Sequence, residues 1–216
     1  MTEKKKIAIS LRVVKAPNYE EKRDALSHDW TKIFEDIGLW PILIPNNLKD
    51  LEEFLNSMEI RGVIISGGDN IGDFPDRDKT EKTLIDYGIK KEIPILGVCR
   101  GMQIINRRFG GLENKTSNFD HVKTNHPILL EKKEIILALK SSQINVNSYH
   151  NNTIKIENLA EELESFAIHK EDNTVEGFLH KEHKIIGVMW HPEREINYNN
   201  RLILQKIFID EDLWRK

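Results

Sequence analysis

A single cysteine, Cys99, occurs in 216 residues, so no intrachain disulfide can form. No apolar run approaches the roughly 18 residues that span a bilayer. The stretch Met1 to Lys6 is charged and leads straight into a strand-like segment. It lacks the apolar core and small-residue cleavage site of a signal peptide. Neither sign of charge is in large excess: the net charge is −3 and the pI about 6.3, which argues against a nucleic-acid or membrane-surface binder. Internal repeats, low-complexity tracts and linkers are missing too. What is present is 39% hydrophobic and 31% charged residues, the composition of a globular chain. The expectation is one domain, residues 1–216, in the cytoplasm.

Short apolar runs alternate with helical patterns. Ile7 to Val14 reads as a strand. Within Asp24 to Ile37, the residues Leu26, Trp30, Ile33, Phe34 and Ile37 recur at helical spacing, and Gly38 reads as the stop. Ile42 to Ile44 is a short strand and Leu48 to Met58 an amphipathic helix. Gly62 to Ser66 and Ile93 to Val98 are buried strands flanking a helix over Thr80 to Lys91. Continuous apolar strands separated by helices indicate an α/β chain with a parallel sheet covered on both faces. Later, Ser165 to His169, Val175 to His180 and Ile185 to Trp190 read as antiparallel strands, and Tyr198 to Ile209 as a last helix.

A lone cysteine is more often a small buried hydrophobe than a nucleophile. Its context changes that reading. Gly97-Val98-Cys99-Arg100-Gly101 places Cys99 where a buried strand gives way to an amphipathic helix. A nucleophile on such a sharp turn has a strained backbone, and its neighbours two residues away on each side must be small. The N–H groups and dipole of the helix that follows favour a thiolate.

Trp190-His191-Pro192-Glu193 follows another strand. Pro192 pushes His191 toward an extended conformation, in which residues two apart point the same way. Glu193 can then hold the His191 tautomer, completing a Cys-His-Glu triad. Taken alone, His191-Pro192-Glu193 reads more readily as a surface turn. Ser66-Gly67-Gly68-Asp69-Asn70 also ends a strand. An N–H near Gly68 and that of Arg100 can together form an oxyanion hole, although Gly-Gly and Asp-Asn also serve as plain turns. All three motifs lie at the C-terminal ends of predicted parallel strands, where open α/β sheets bind ligands.

These residues resemble the class I glutamine amidotransferase-like superfamily. The likeness covers nearly the whole chain and rests on Gly97 to Gln103, Ser66 to Gly68 and His191 to Glu193. It is strongest to the free-standing γ-glutamyl hydrolases, such as the γ-glutamyl-γ-aminobutyrate hydrolases. Asn118-Phe-Asp-His121, Thr124-Asn-His126-Pro127 and Val146-Asn-Ser148-Tyr149-His150 support that branch. The resemblance implies a flavodoxin-like, mostly parallel central sheet with helices on both faces and an antiparallel C-terminal extension. It implies that Gln103 contacts the glutamyl end of the substrate and that Ser148, Tyr149 and His150 complete the pocket. Asn152 stands where these hydrolases often carry Gln. The chain is also similar to the γ-glutamyl-CDP-amidate hydrolases of bacterial pathways that build phosphoramidate-decorated capsules, which release glutamate and a cytidine diphosphoramidate. Arg12, Lys15, Lys22 and Arg23, after the first strand, would suit a diphosphate; a solvated basic loop is the equal alternative.

The expected activity is thus hydrolysis of a γ-glutamyl amide, a small-molecule conjugate, through a γ-glutamyl thioester. A glutaminase subunit serving a separate synthase is the second reading, and a non-catalytic binding protein the third. Homodimers are common in the family, though no surface stripe here argues for one. Thiolate acyl transfer needs no cofactor. The eight histidines suggest no metal site, because His180 and His183 fall in a hairpin turn and no Cys or Asp is suitably spaced.

Overall fold

The computed structural model describes residues 3–115 and 121–214. The chain begins with β1 (Lys6–Ser10), β2 (Arg12–Lys15), β3 (Lys22–Ala25), α1 (His28–Ile37) and β4 (Trp40–Ile44). Then come α2 (Leu51–Ser57), β5 (Gly62–Ile65), α3 (Pro75–Lys90), β6 (Ile95–Val98) and α4 (Arg100–Arg108). The middle of the chain holds β7 (Asn114–Lys115), β8 (Val122–Leu130), α5 (Lys133–Leu139), β9 (Gln143–Tyr149) and β10 (Asn152–Thr153). It ends with β11 (Leu163–His169), β12 (Val175–His180), β13 (Ile185–Val188) and α6 (Tyr198–Gln205).

Nine strands form one sheet in the order β4-β1-β5-β6-β13-β12-β11-β8-β9. The first five are mutually parallel and form the flavodoxin-like core. From β13 onward each pairing is antiparallel. Alternation along β1 sends Ile7 and Ile9 to one face and Ala8 to the other. Helices α1, α5 and α6 cover the first face, through Trp30, Phe34, Ile135 and Ile203 among others. Helices α2, α3 and α4 cover the second, through Leu55, Leu84 and Ile105. Each large apolar side chain removed from water in this way contributes roughly 1.5–3 kcal/mol.

Local signals explain α1. The Ser27 side chain accepts from the Asp29 N–H at the start, and Gly38 closes the helix in the left-handed region at φ 75°. The helix starts later than its apolar spacing predicts. Asp24 belongs to β3 instead, where its carboxylate accepts from the Asn46 backbone N–H at 2.9 Å and from Asn46 Nδ2 at 2.6 Å. The predicted first strand is likewise two: after Ser10 the chain turns into a β2–β3 hairpin, with Lys15 opposite Lys22. Helix α3 starts five residues before the expected Thr80, at Pro75. Its extra turn is charged, yet Arg77 is buried within it. The expected antiparallel extension is present, and besides β11 and β12 it takes in β8 and β9 from earlier in the chain. Of the segments that mark the family resemblance, Asn118 to Asp120 lies outside the described residues.

Candidate active site

Neighbouring strands β1, β5, β6 and β13 run parallel, so their C-terminal ends lie along one edge of the sheet. Cys99 follows β6, His191 follows β13, Gly67 and Gly68 follow β5, and Arg12 follows β1. The packing at the elbow explains its glycines. Cys99 has φ 51° and ψ −106°, a conformation that costs a residue other than glycine about 1–3 kcal/mol. A Cβ on Gly101 would lie 1.9 Å from the Ile65 carbonyl oxygen, and one on Gly97 would lie 2.6 Å from that of Gly101. No side chain fits at either position.

His191 donates from Nδ1 to Glu193 Oε1 at 2.7 Å, which leaves Nε2 for the sulfur. Both residues are buried, as is Cys99 at 7% exposure. His191 and Cys99 meet above Gly67, where a Cβ would lie 2.7 Å from His191 Cε1 and 3.6 Å from Cys99 Cβ. Burial alone would lower the His191 pKa. The hydrogen bond and charge of Cys99, and then those of Glu193, outweigh it and push the value up to about 9. These influences favour the imidazolium form of His191.

The amide of Arg100 is the first of α4, one of those a helix leaves without an internal partner. Gly68 faces the same region with φ 129°. These are the two amides expected to receive an oxyanion. The cleft around Cys99 is lined further by Arg12, Ser27, Trp30, Tyr149, His191 and Arg194. Gln103, Ser148 and His150 are instead buried. Gln103 Nε2 donates to the Asn152 carbonyl at 3.4 Å, and Ser148 Oγ to the His121 carbonyl at 2.8 Å. Asn152 itself donates from Nδ2 to Asn70 Oδ1 at 3.3 Å, next to the Gly67–Gly68 turn.

Residues 7–193 match the peptidase C26 family. The chain belongs to that family. Over 209 residues it is 34% identical to the γ-glutamyl-CDP-amidate hydrolase of Campylobacter jejuni subsp. jejuni serotype O:2, covering 94% of this chain and 96% of that one. It is 30% identical over 168 residues to one subunit of the glutamine-hydrolyzing GMP synthase of Methanocaldococcus jannaschii, covering 77% and 82%. Among solved structures, a Thermoplasma acidophilum protein assigned as a GMP synthase subunit superposes with TM-score 0.74 at 25% identity, over 96% of this chain and 94% of that one. Membership of a peptidase family makes this chain a hydrolase of C–N bonds.

The candidate site has supports that sequence reasoning did not single out. Asn147 clamps the backbone of His191: its Nδ2 donates to the His191 carbonyl and its Oδ1 accepts from the His191 N–H, both at 2.9 Å. Arg77 is fully buried and donates from Nη2 to the carbonyls of Ser66 and Gly67, each at 2.9 Å. Its Nε donates to Glu81 at 2.9 Å, and Arg100 pairs with Glu81 and Asp78. This ion network joins the Gly67–Gly68 turn to the first turn of α4. Only the Val146-Asn147-Ser148-Tyr149-His150 run hinted at Asn147, and nothing in the spacing of Arg77 pointed to the site.

A second group of titratable side chains forms around His121, His126, His150 and His169, with Asp172 and Glu176. Burial, with His169 and His121 nearby, pushes the His126 pKa down to about 4. Burial and His121 push that of His150 to about 3. Burial raises the Glu176 carboxyl well above its ordinary range. Imidazoles and carboxylates so placed are metal-ligand types.

Proposed function

We propose that the chain hydrolyses a γ-glutamyl amide with Cys99 as nucleophile, His191 as proton carrier and Glu193 as its orienter. The observation that carries this reading is the strained Cys99 elbow set against the 2.7 Å His191–Glu193 pair. The Cys99 thiolate attacks the γ-carbonyl carbon. The Gly68 and Arg100 amides receive the charge that develops on oxygen. The C–N bond breaks as His191 gives its proton to the leaving nitrogen, and a γ-glutamyl thioester remains. Water then gives a proton to His191 and attacks the thioester. The S–C bond breaks, and glutamate leaves.

The finer reading is that the amide is γ-glutamyl-CDP-amidate, cleaved to glutamate and cytidine diphosphoramidate. Two findings support it: the near full-length similarity to the Campylobacter jejuni hydrolase, and the lining of the Cys99 cleft by Arg12 and Arg194, where a diphosphate would meet two cations. On this reading the enzyme serves capsule phosphoramidate synthesis in the cytoplasm. The similarity to GMP synthase subunits supports a second reading, a glutaminase that passes ammonia to a synthase.

The test is glutamate release by the isolated chain from glutamine and from a panel of γ-glutamyl amides, including γ-glutamyl-CDP-amidate, with Cys99→Ala as the blank. Strong Cys99-dependent release from a conjugate, and little from glutamine, is the expected result. Release from none of them contradicts the self-contained hydrolase and turns attention to a synthase partner.

A further inference from the structure

His121, His126, His150 and Glu176 are buried at 0, 5, 3 and 0% exposure. They come from the entry to β8, from β8 itself, from the residue after β9, and from β12. Each offers one ligand atom, and these atoms lie within 4.8 Å of one another.

Hydrogen bonding settles which ring atoms face inward. His150 Nδ1 donates to the Asn152 carbonyl at 3.0 Å, so Nε2 carries the lone pair. That nitrogen stands 3.6 Å from Glu176 Oε1. His121 Nε2 donates to Asp172 Oδ2 at 2.7 Å, so Nδ1 carries the lone pair, 3.9 Å from the same Glu176 oxygen. Acceptors therefore face acceptors. Among the described residues, His121 Nδ1, both ring nitrogens of His126, His150 Nε2 and both Glu176 oxygens have no hydrogen-bond partner. Buried polar groups are satisfied in the great majority of proteins, so this many converging on one point calls for a positive centre. A single proton on Glu176 can serve only one of the nitrogens.

We propose that these four side chains bind one divalent transition-metal ion, zinc being the best match to the donors. The ligands are His121 Nδ1, His150 Nε2, one His126 nitrogen and a Glu176 oxygen. Three imidazoles and a carboxylate form a nitrogen and oxygen set that suits zinc. The 3.6 and 3.9 Å separations are close to the edge of about 3.4 Å of a tetrahedron with bonds of about 2.0–2.1 Å. The Asp172 carboxylate on His121 and the Asn152 carbonyl on His150 are the outer partners that metal-bound imidazoles require. Four protein ligands leave no open position, so the ion's role is to hold strands together. It ties β8 and β9 to β12, whose Glu176 carbonyl accepts from the Met189 N–H at 2.9 Å, two residues before His191. Tyr149, in the cleft wall, immediately precedes His150.

The test uses the full, untagged chain and reads metal rather than turnover, so its outcome is independent of the γ-glutamyl hydrolase reading. Protein produced with zinc and dialysed is analysed by plasma mass spectrometry for all first-row metals. Cobalt(II), exchanged into the chain, is followed by visible absorption. The expected result is stoichiometric metal and the intense absorption of four-coordinate cobalt, both lost in Glu176→Gln. Asp172→Asn, which leaves every ligand in place, should weaken zinc binding about 10–100-fold and keeps the comparison open if Glu176→Gln fails to fold. Wild-type chain that holds no metal after refolding with zinc overturns the proposal. So does metal retained undiminished in both variants, which would put it elsewhere, as at His180 and His183.

Discussion

Cys99 carries a strained backbone and, in the proposed mechanism, a charge shared with His191. The strain has a direct consequence. Cys99→Gly and Cys99→Ala both remove the sulfur, but only glycine adopts φ 51° freely. Relief of about 1–3 kcal/mol, less about 0.5–1 kcal/mol of glycine entropy, should make Cys99→Gly the more stable variant by about 1 kcal/mol in urea unfolding. The shared charge sets the pH response. Below the plateau the Cys–His pair gains a proton and kcat/KM falls. Above about 9 the imidazolium loses the proton it must give to the leaving group, and kcat/KM falls again. Glu193 helps to raise the His191 pKa, so Glu193→Gln should move the alkaline limb to lower pH. An unmoved limb would contradict the pairing. At the cleft, Arg12→Ala should raise KM for γ-glutamyl-CDP-amidate but leave glutamine turnover unchanged, measured by steady-state kinetics.

At the scale of elements, the site depends on how tightly β5, β6 and α4 meet. The Gly101 contact with the Ile65 carbonyl leaves no room for a methyl group, so Gly101→Ala should destabilise the chain by at least about 1–3 kcal/mol and displace Cys99. Arg77 holds the Gly67–Gly68 turn through two carbonyls, and losing it leaves buried carboxylates undercompensated. Arg77→Ala should cost about 3–5 kcal/mol in denaturant unfolding and lower kcat as well. Apolar periodicity made the parallel strands, the body of α1 and the Cys99 elbow legible in the sequence. Buried polar surface left no such pattern. The first turn of α3 buries Arg77, and β8 carries Pro127 and alternating polar residues, so neither showed an apolar pattern. The histidine cluster was invisible for a related reason: its members meet only after β8, β9 and β12 have packed, and spacing along the chain says nothing of that.

Across the whole molecule, the parallel half of the sheet presents the proposed reacting groups, and the antiparallel half braces them. Asn147 on β9 grips the His191 backbone, so the extension reaches directly into the candidate site. Among the described residues no helix is long and apolar enough to cross a membrane. The proposed chemistry turns on Cys99 accepting the γ-glutamyl group. The most direct measurement is intact-protein mass spectrometry after acid quench during turnover of a γ-glutamyl amide. The expected species is heavier by one γ-glutamyl group, maps to Cys99 by peptide analysis and is missing from Cys99→Ala. Turnover by the wild-type chain with no such adduct under rapid quench, or with equal activity in Cys99→Ala, would contradict it.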